Sequence, residues 1–160
     1  MAPAELSVGV QAPDFSLPAS NGGTFSLAGQ RGLHNVVLAF VQTAADRDTV
    51  AEAQAFRDAS ELLRAARTHV AFIGPDSPAA YGQLATVHAL PVDFLSDADG
   101  AVARRYGVET TKAIAFVTRK VWRRSTVIID RTGIVRKVFR DVKLDTHVNE
   151  VLAFLDTNLS

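Results

Sequence analysis

The sequence contains no cysteine, and of its 160 residues only one is Met and one is Trp. Without cysteine the chain forms no disulfide, binds no metal through thiolates and performs no thiol catalysis. No run of about eighteen apolar residues occurs, so no membrane span is predicted. The first residues also lack the basic start and apolar centre of a secretory signal. Together with the absence of disulfides, this favours a cytoplasmic location.

The residues that are present predict a globular chain. Hydrophobic residues make up 48% of the sequence and charged residues 21%, with a formal net charge of zero. A disordered chain has fewer apolar residues and less balanced charge. Because one domain spans about 100–200 residues, we expect a single domain over residues 1–160.

Hydrophobic periodicity predicts alternating strands and helices. A hairpin is expected around Asn21, Gly22 and Gly23, and a strand buried on both faces at residues 36–41. A helix is predicted from about residue 48 to 67, with Thr49 and Glu52 at capping-box spacing. The other predicted strands are 70–75, 92–95, 113–117, 125–130 and 134–140, and the other helices are 78–89, a brief one ending at 106–107, and 145–158. This pattern indicates an α/β fold whose mixed sheet is covered by helices on both faces.

Several segments, in the correct order, resemble the peroxiredoxins over nearly the whole chain. The opening is similar at residues 11–17 (QAPDFSL) and 26–32 (SLAGQRG), and residues 52–58 (EAQAFRD) resemble the bacterioferritin-comigratory-protein subgroup. The match continues through 95–100 (LSDADG), 103–108 (ARRYGV), 124–130 (RSTVIID) and 138–143 (VFRDVK). The resemblance implies a thioredoxin-like fold with a central mixed sheet, flanking helices and an N-terminal β-hairpin.

The active-site segment departs from that family. Peroxiredoxins have Pro, then Thr or Ser four residues later, then the peroxidatic Cys three residues after that. An ungapped alignment places Gln42, Asp46 and Thr49 at these positions, and Gln54 where this subgroup often has its resolving Cys. Arg124 alone of the family's four catalytic residues is retained. Since several positions differ and no cysteine remains anywhere, natural loss is favoured over an engineered Cys substitution.

Peroxide reduction by a thiol requires a thiolate that becomes a sulfenic acid. A threonine hydroxyl is far less acidic than a thiol and has no comparable redox chemistry. The resemblance implies a thioredoxin-dependent peroxidase. Thr49 stands at the position of the peroxidatic Cys, however, so thiol peroxidase activity is excluded for this chain. Whether the chain is an enzyme of another kind is left open by the sequence.

Each candidate residue also has a structural interpretation. Thr49 is interpreted as a helix cap, and Asp46 and Asp48 as carboxylates that complement the helix dipole. Arg124 either pairs with one of these aspartates or binds an anion. Gln54 is interpreted as an ordinary helix residue.

No cofactor and no metal site are predicted. The four histidines, His34, His69, His88 and His147, are dispersed, and residues 97–100 lack the later Glu of a calcium loop. A basic stretch from Arg119 to Lys143 contains aromatics, which can bind nucleic acid, but its alternation with Val and Ile is typical of a solvated strand face.

Two functions remain open from the sequence. The first is a peroxiredoxin-like protein without peroxidase activity, with a binding or regulatory role, associating as a homodimer or with active peroxiredoxins. The second is a non-redox enzyme or small-anion site formed by Gln42, Asp46, Thr49 and Arg124. Nucleic-acid binding is the least favoured alternative.

Overall fold

The computed structural model describes residues 6–159, which form a five-stranded mixed sheet and two hairpins. The strands are β1 (Ser16–Pro18), β2 (Thr24–Ser26), β3 (Asn35–Phe40), β4 (Thr68–Gly74), β5 (Asp93–Ser96), β6 (Glu109–Ile114), β7 (Val117–Trp122), β8 (Ser125–Ile129) and β9 (Val135–Phe139). The helices are α1 (Arg47–Asp58), α2 (Ser60–Ala65), α3 (Pro78–Val87), α4 (Ala101–Arg105) and α5 (Leu144–Asn158), with a short 3-10 helix at Ala28–Gln30. The expected α/β fold is confirmed.

The central sheet has the strand order β5-β4-β3-β8-β9. Strand β3 runs parallel to β4 and antiparallel to β8. All six residues of β3 are buried, as its unbroken apolar run predicts. Alternate side chains enter two cores: Leu38 and Phe40 pack with Tyr106 on one face, while Ala39 packs with Phe56 on the other. The sheet is therefore covered on both sides.

The N-terminal hairpin is confirmed. Strands β1 and β2 pair antiparallel, and Gly22 takes the positive φ of +92° that the turn requires. The side chain of Asn21 accepts a hydrogen bond from the Gly23 amide at 2.8 Å, which closes the turn.

The single helix predicted over residues 48–67 is wrong. The helix is interrupted at Ala59, where ψ is 9°, so α1 ends at Asp58 and α2 starts at Ser60. The interruption lets α2 lie against β4 with Leu63 buried. The apolar spacing through Phe56, Ala59 and Leu63 is uninterrupted, so periodicity alone does not reveal the interruption of the helix.

The strand predicted at residues 113–117 is also wrong. Those residues straddle a turn between β6 and β7, which form a separate two-stranded hairpin. Ala115 has a positive φ of +57°, and Phe116 next to it is fully exposed. An apolar run is typical of a buried strand, but here it lies at a hairpin tip outside the core.

None of the helices within residues 6–159 is long and apolar enough to cross a lipid bilayer.

Candidate functional site

Strand pairing brings the sequence-predicted site residues together. Phe40, the last residue of β3, is the antiparallel partner of Ser125, the first residue of β8. The segment that follows Phe40 leads into α1, and Arg124 directly precedes Ser125. The start of α1 and Arg124 therefore meet at one edge of the sheet, although they are more than seventy residues apart in the sequence.

Arg124 is held by two carboxylates. Its Nη1 donates a hydrogen bond to Glu52 Oε2 at 2.7 Å, and its Nη2 lies 3.9 Å from Asp46 Oδ1. The predicted pairing of Arg124 with Asp46 or Asp48 is therefore correct only for Asp46, and the closer partner is Glu52. Two carboxylates around one guanidinium leave little net positive charge for an external anion.

Glu52 is the buried acid of the site, with 1% of its side chain exposed. Burial raises the pKa of Glu52 to about 7, and the neighbouring Arg124 acts in the opposite direction by favouring the carboxylate. Glu52 Oε1 is buried and has no hydrogen-bond partner within residues 6–159. A carboxyl of this kind is typical of functional sites and of buried ion pairs.

The start of α1 corrects the predicted capping. Asp46 is the N-cap, and its Oδ1 accepts a hydrogen bond from the Asp48 amide at 2.8 Å. Thr49 is not the cap: it lies one turn into the helix, fully buried, and its Oγ1 has no partner in the described part of the chain. Aspartate caps a helix as well as threonine does, so starting at Asp46 adds a turn and leaves Glu52 free to bind Arg124.

Gln42 joins the segment between β3 and α1 to two other elements. Its Nε2 donates to the Trp122 carbonyl at 2.5 Å, and its own carbonyl accepts from the Tyr81 hydroxyl at 2.9 Å. Gln54 lies on α1 and is partly exposed. That these residues occupy the family's Pro and resolving-Cys positions stays a prediction from the alignment.

Glu52 is the site residue that the sequence analysis missed. The buried residues of α1 are Thr49, Glu52, Ala53 and Phe56, which follow the spacing of one helix face. A carboxylate on the buried face of an amphipathic helix needs a partner. The position of Glu52 on that face is the feature of the sequence that could have predicted its ion pair. The capping-box interpretation assigned Glu52 to the local backbone instead.

The other candidate residues have structural partners. His147 is buried against Phe56 and Phe139, and a hydrogen bond of 2.7 Å joins its Nε2 to Thr126 Oγ1. Burial lowers the pKa of His147 to about 4. Asp97 accepts from the amides of Val102 and Ala103, which confirms that residues 97–100 form a turn and a helix cap.

Part of the basic stretch is also compensated. Arg123 pairs with Asp141, and Arg136 with Asp130. Lys120 lies 3.7 Å from Glu109 on the neighbouring strand. These contacts support the interpretation of a solvated face, and nucleic-acid binding remains the less favoured prediction.

Comparison with known proteins identifies relatives along most of the chain. Residues 8–138 match the model of the AhpC/TSA family. A putative peroxiredoxin bcp from Coxiella burnetii is 35% identical over 150 residues, covering 94% of this chain and 99% of the relative. Peroxiredoxin Bcp of Bacillus subtilis is 30% identical over 150 residues, covering 94% and 95% of the two chains.

Solved structures of similar proteins share the fold of this chain. The crystal structure of peroxidoxin BcpB from Mycobacterium tuberculosis superposes with a TM-score of 0.86 at 27% identity, covering 98% of this chain and 100% of that one. The bacterioferritin comigratory protein of Xanthomonas campestris has a TM-score of 0.87 and covers 91% and 92% of the two chains; at 23% identity it shows the fold alone.

Proposed function

Because the chain belongs to the AhpC/TSA family and to its Bcp and peroxiredoxin Q branch, yet contains no cysteine, we propose that it is a peroxiredoxin-like protein without thiol peroxidase activity. The relatives carry the name peroxiredoxin, and thiol-based peroxide reduction needs a thiolate as the attacking group. The observation that carries this proposal is that a hydroxyl and no thiol is present at Thr49, which is buried in the first turn of α1, three residues before Glu52.

The electrostatics of the site support the loss of activity. A helix N-terminus and an arginine stabilise an anion, and these two features are present. Arg124 is, however, occupied by Glu52 and lies near Asp46, and both carboxylates oppose a further negative charge. The site thus forms an internal ion pair, which is the arrangement expected of a structural rather than a peroxidatic role.

We further propose that the protein acts by binding, either to a second copy of itself or to a cysteine-containing relative. The hairpin of β6 and β7 supports this, because Phe116 is fully exposed at its tip and Val117 is 58% exposed. Exposed aromatic and aliphatic side chains at adjacent positions favour a contact surface. The cytoplasmic location stays a prediction from the sequence.

A non-redox reaction in the same site is the second candidate. It is favoured by the pKa of Glu52, about 7, because a general base works best near the ambient pH. The burial of Glu52 and its 2.7 Å contact with Arg124 weigh against this candidate, since a substrate has little access to the carboxyl.

The proposal is tested by measuring hydrogen peroxide consumption by the purified chain, with excess dithiothreitol and a metal chelator. We expect the rate of the protein-free blank.

Association is tested by sedimentation of the chain alone and mixed with a Bcp relative, for the native protein and for Phe116→Ser. We expect a larger species in the native samples, and only monomer in all samples would overturn the binding role.

A further inference from the structure

A cavity of about 630 Å³ lies at the edge of the sheet where the parallel strands β4 and β5 begin. Thr68, His69 and Asp93, the first residues of these strands, help to line it. Arg124 and the start of α1 are at the other edge, beyond the carboxyl end of β3. A six-residue strand separates the two edges by roughly 15–20 Å. The cavity is therefore a separate place from the site of Glu52 and Arg124.

The lining of this cavity combines apolar and basic side chains. Its apolar members Phe56 and Leu63 are buried, whereas Arg64 and Arg67 are exposed. Small-molecule sites in proteins have similar volumes and combine an apolar lining with a few charged groups that fix the orientation of the ligand. We call the exposed side chains of Arg64 and Arg67 the basic rim. An apolar interior below a basic rim indicates a ligand with both an apolar and an anionic part.

The positive charge of the rim is not neutralised by the protein itself. Arg57 contacts Asp58 at 3.1 Å, and Asp93 is engaged by His69 at 3.1 Å. Within residues 6–159, no carboxylate lies within ion-pair distance of Arg64 or Arg67. Two guanidinium groups next to an apolar cavity favour a carboxylate or phosphate, which each can bind through two hydrogen bonds.

Arg67 has an unusual backbone for a long cationic residue. It follows the last turn of α2 with a φ of +52°, a conformation in which glycine is preferred. Its amide donates to the Arg64 carbonyl and its carbonyl accepts from the Asn35 amide, both at 2.9 Å. The turn itself therefore requires only backbone atoms. The arginine side chain also lines a neighbouring cavity of about 590 Å³, between α2 and α5.

We propose that the cavity beneath Arg64 and Arg67 binds a small amphipathic anion, a carboxylate or phosphate monoester carried on a short apolar chain or ring. The two guanidinium groups hold the anionic end at the rim, and the apolar part lies against Phe56 and Leu63. This site does not depend on the loss of peroxidase activity, because neither Thr49 nor Arg124 lines it.

The proposal is tested by isothermal titration calorimetry of the full chain with four probes: octanoate, octyl phosphate, octanol and inorganic phosphate. We expect saturable binding of octanoate or octyl phosphate, at least about tenfold tighter than that of octanol or inorganic phosphate. The preferred one of the first two distinguishes a carboxylate from a phosphate ligand. Octanol binding as tightly as octanoate, or no saturable binding of any probe, would overturn the proposal.

Arg67→Gly is the most informative variant, because glycine suits the positive φ and removes only the side chain. We expect it to retain or raise the thermal unfolding midpoint and to weaken binding of the preferred anionic probe at least about tenfold. Ala89→Gly is the backbone control: Ala89 follows α3 with the same φ of +52°, and its replacement should leave binding unchanged. Arg119→Ala, an exposed cation on β7, is the charge control and should also bind normally. Native affinity in Arg67→Gly would contradict the proposed site.

Discussion

Arg124 and Glu52 form a buried ion pair of 2.7 Å that joins the start of β8 to α1. Glu52 is 1% exposed and Arg124 11%, so water screens the contact little. The guanidinium of Arg124, which the alignment predicts to be the family's retained arginine, therefore has an internal partner in a chain that has no thiol.

We expect removal of one partner to cost more than removal of both. Arg124→Met leaves Glu52 buried without its cation, which should lower the free energy of unfolding by about 3 kcal/mol. The double variant Arg124→Met with Glu52→Met replaces the pair by apolar groups and should recover most of that loss. Urea unfolding at about pH 9, above the pKa of Glu52, gives both values.

Arg136 supplies the matched control, because its side chain is 37% exposed and it pairs with Asp130 at 3.3 Å. Arg136→Met should cost under about 1 kcal/mol. The Glu52→Met single variant completes the comparison. If the double variant loses as much free energy of unfolding as Arg124→Met and Glu52→Met lose together, the two residues are not coupled as described.

The cap and the buried hydroxyl of α1 can be distinguished by substitution. Asp46→Ala removes the side chain that accepts from the Asp48 amide and should cost about 1 kcal/mol. Thr49→Val replaces a buried hydroxyl without a partner by a methyl of similar size, so stability should stay equal or rise by up to about 1 kcal/mol. Thermal unfolding of both variants is the measurement, and a Thr49→Val loss equal to that of Asp46→Ala would favour the cap predicted from the sequence.

Protonation of His147 should destabilise the fold in acid. Its pKa is lowered to about 4 by burial, so between about pH 6.5 and 4 the unfolded state binds the proton more readily than the folded state. This contribution to stability is complete above pH 6.5 and falls by about 3 kcal/mol as the pH drops through that window. His147→Gln should show a correspondingly smaller loss between pH 7 and about 4.5. Equal acid sensitivity of His147→Gln and the native chain would contradict the burial of a neutral His147.

Glu52 should have the opposite effect on stability. Because burial raises its folded-state pKa to about 7, the folded state holds a proton that the unfolded state releases above its ordinary value of 4.5. This contribution is present below pH 4.5 and is lost as the pH rises through 7. The stability of the native chain relative to Glu52→Gln should therefore fall by about 2–3 kcal/mol between about pH 5 and 8. A difference that is constant with pH would show that Glu52 is ionised throughout.

The sequence predicts the strands of the central sheet well, and β3 shows why. Its apolar run requires burial on both faces, and only a central strand offers that. The sequence did not predict the interruption at Ala59 or the turn at Ala115, because apolar spacing shows which side chains prefer burial and not where a helix is interrupted or a strand turns. Phe116 is the clearest example: an aromatic within an apolar run, it is nevertheless fully exposed.

The candidate site was predicted in part for a similar reason. Arg124 and the start of α1 came from the family resemblance, and the antiparallel pairing of Phe40 with Ser125 brings them together. The sequence assigns Glu52 to a local capping interaction, because Thr49 and Glu52 have the spacing of a capping box. Its real partner lies seventy-two residues away, and only the tertiary structure shows that an ion pair replaces the local cap.

The central claim is that Thr49 occupies the place of the missing thiol, and one measurement tests it most directly: peroxide consumption with excess dithiothreitol by the native chain and by two double variants, Thr49→Cys with Glu52→Gln and Thr118→Cys with Glu52→Gln. Glu52→Gln removes the carboxylate that holds Arg124. Thr118 is an exposed residue of β7, away from any helix N-terminus, and controls for an ordinary thiol. The account predicts no consumption above the blank by the native chain. It also predicts that the Thr49→Cys double variant is at least about tenfold faster than the Thr118→Cys double variant, because the helix N-terminus and an Arg124 released from Glu52 lower the pKa of a thiol at position 49. Consumption by the native chain would contradict the loss of activity, and equal rates of the two double variants would contradict the position assigned to Thr49.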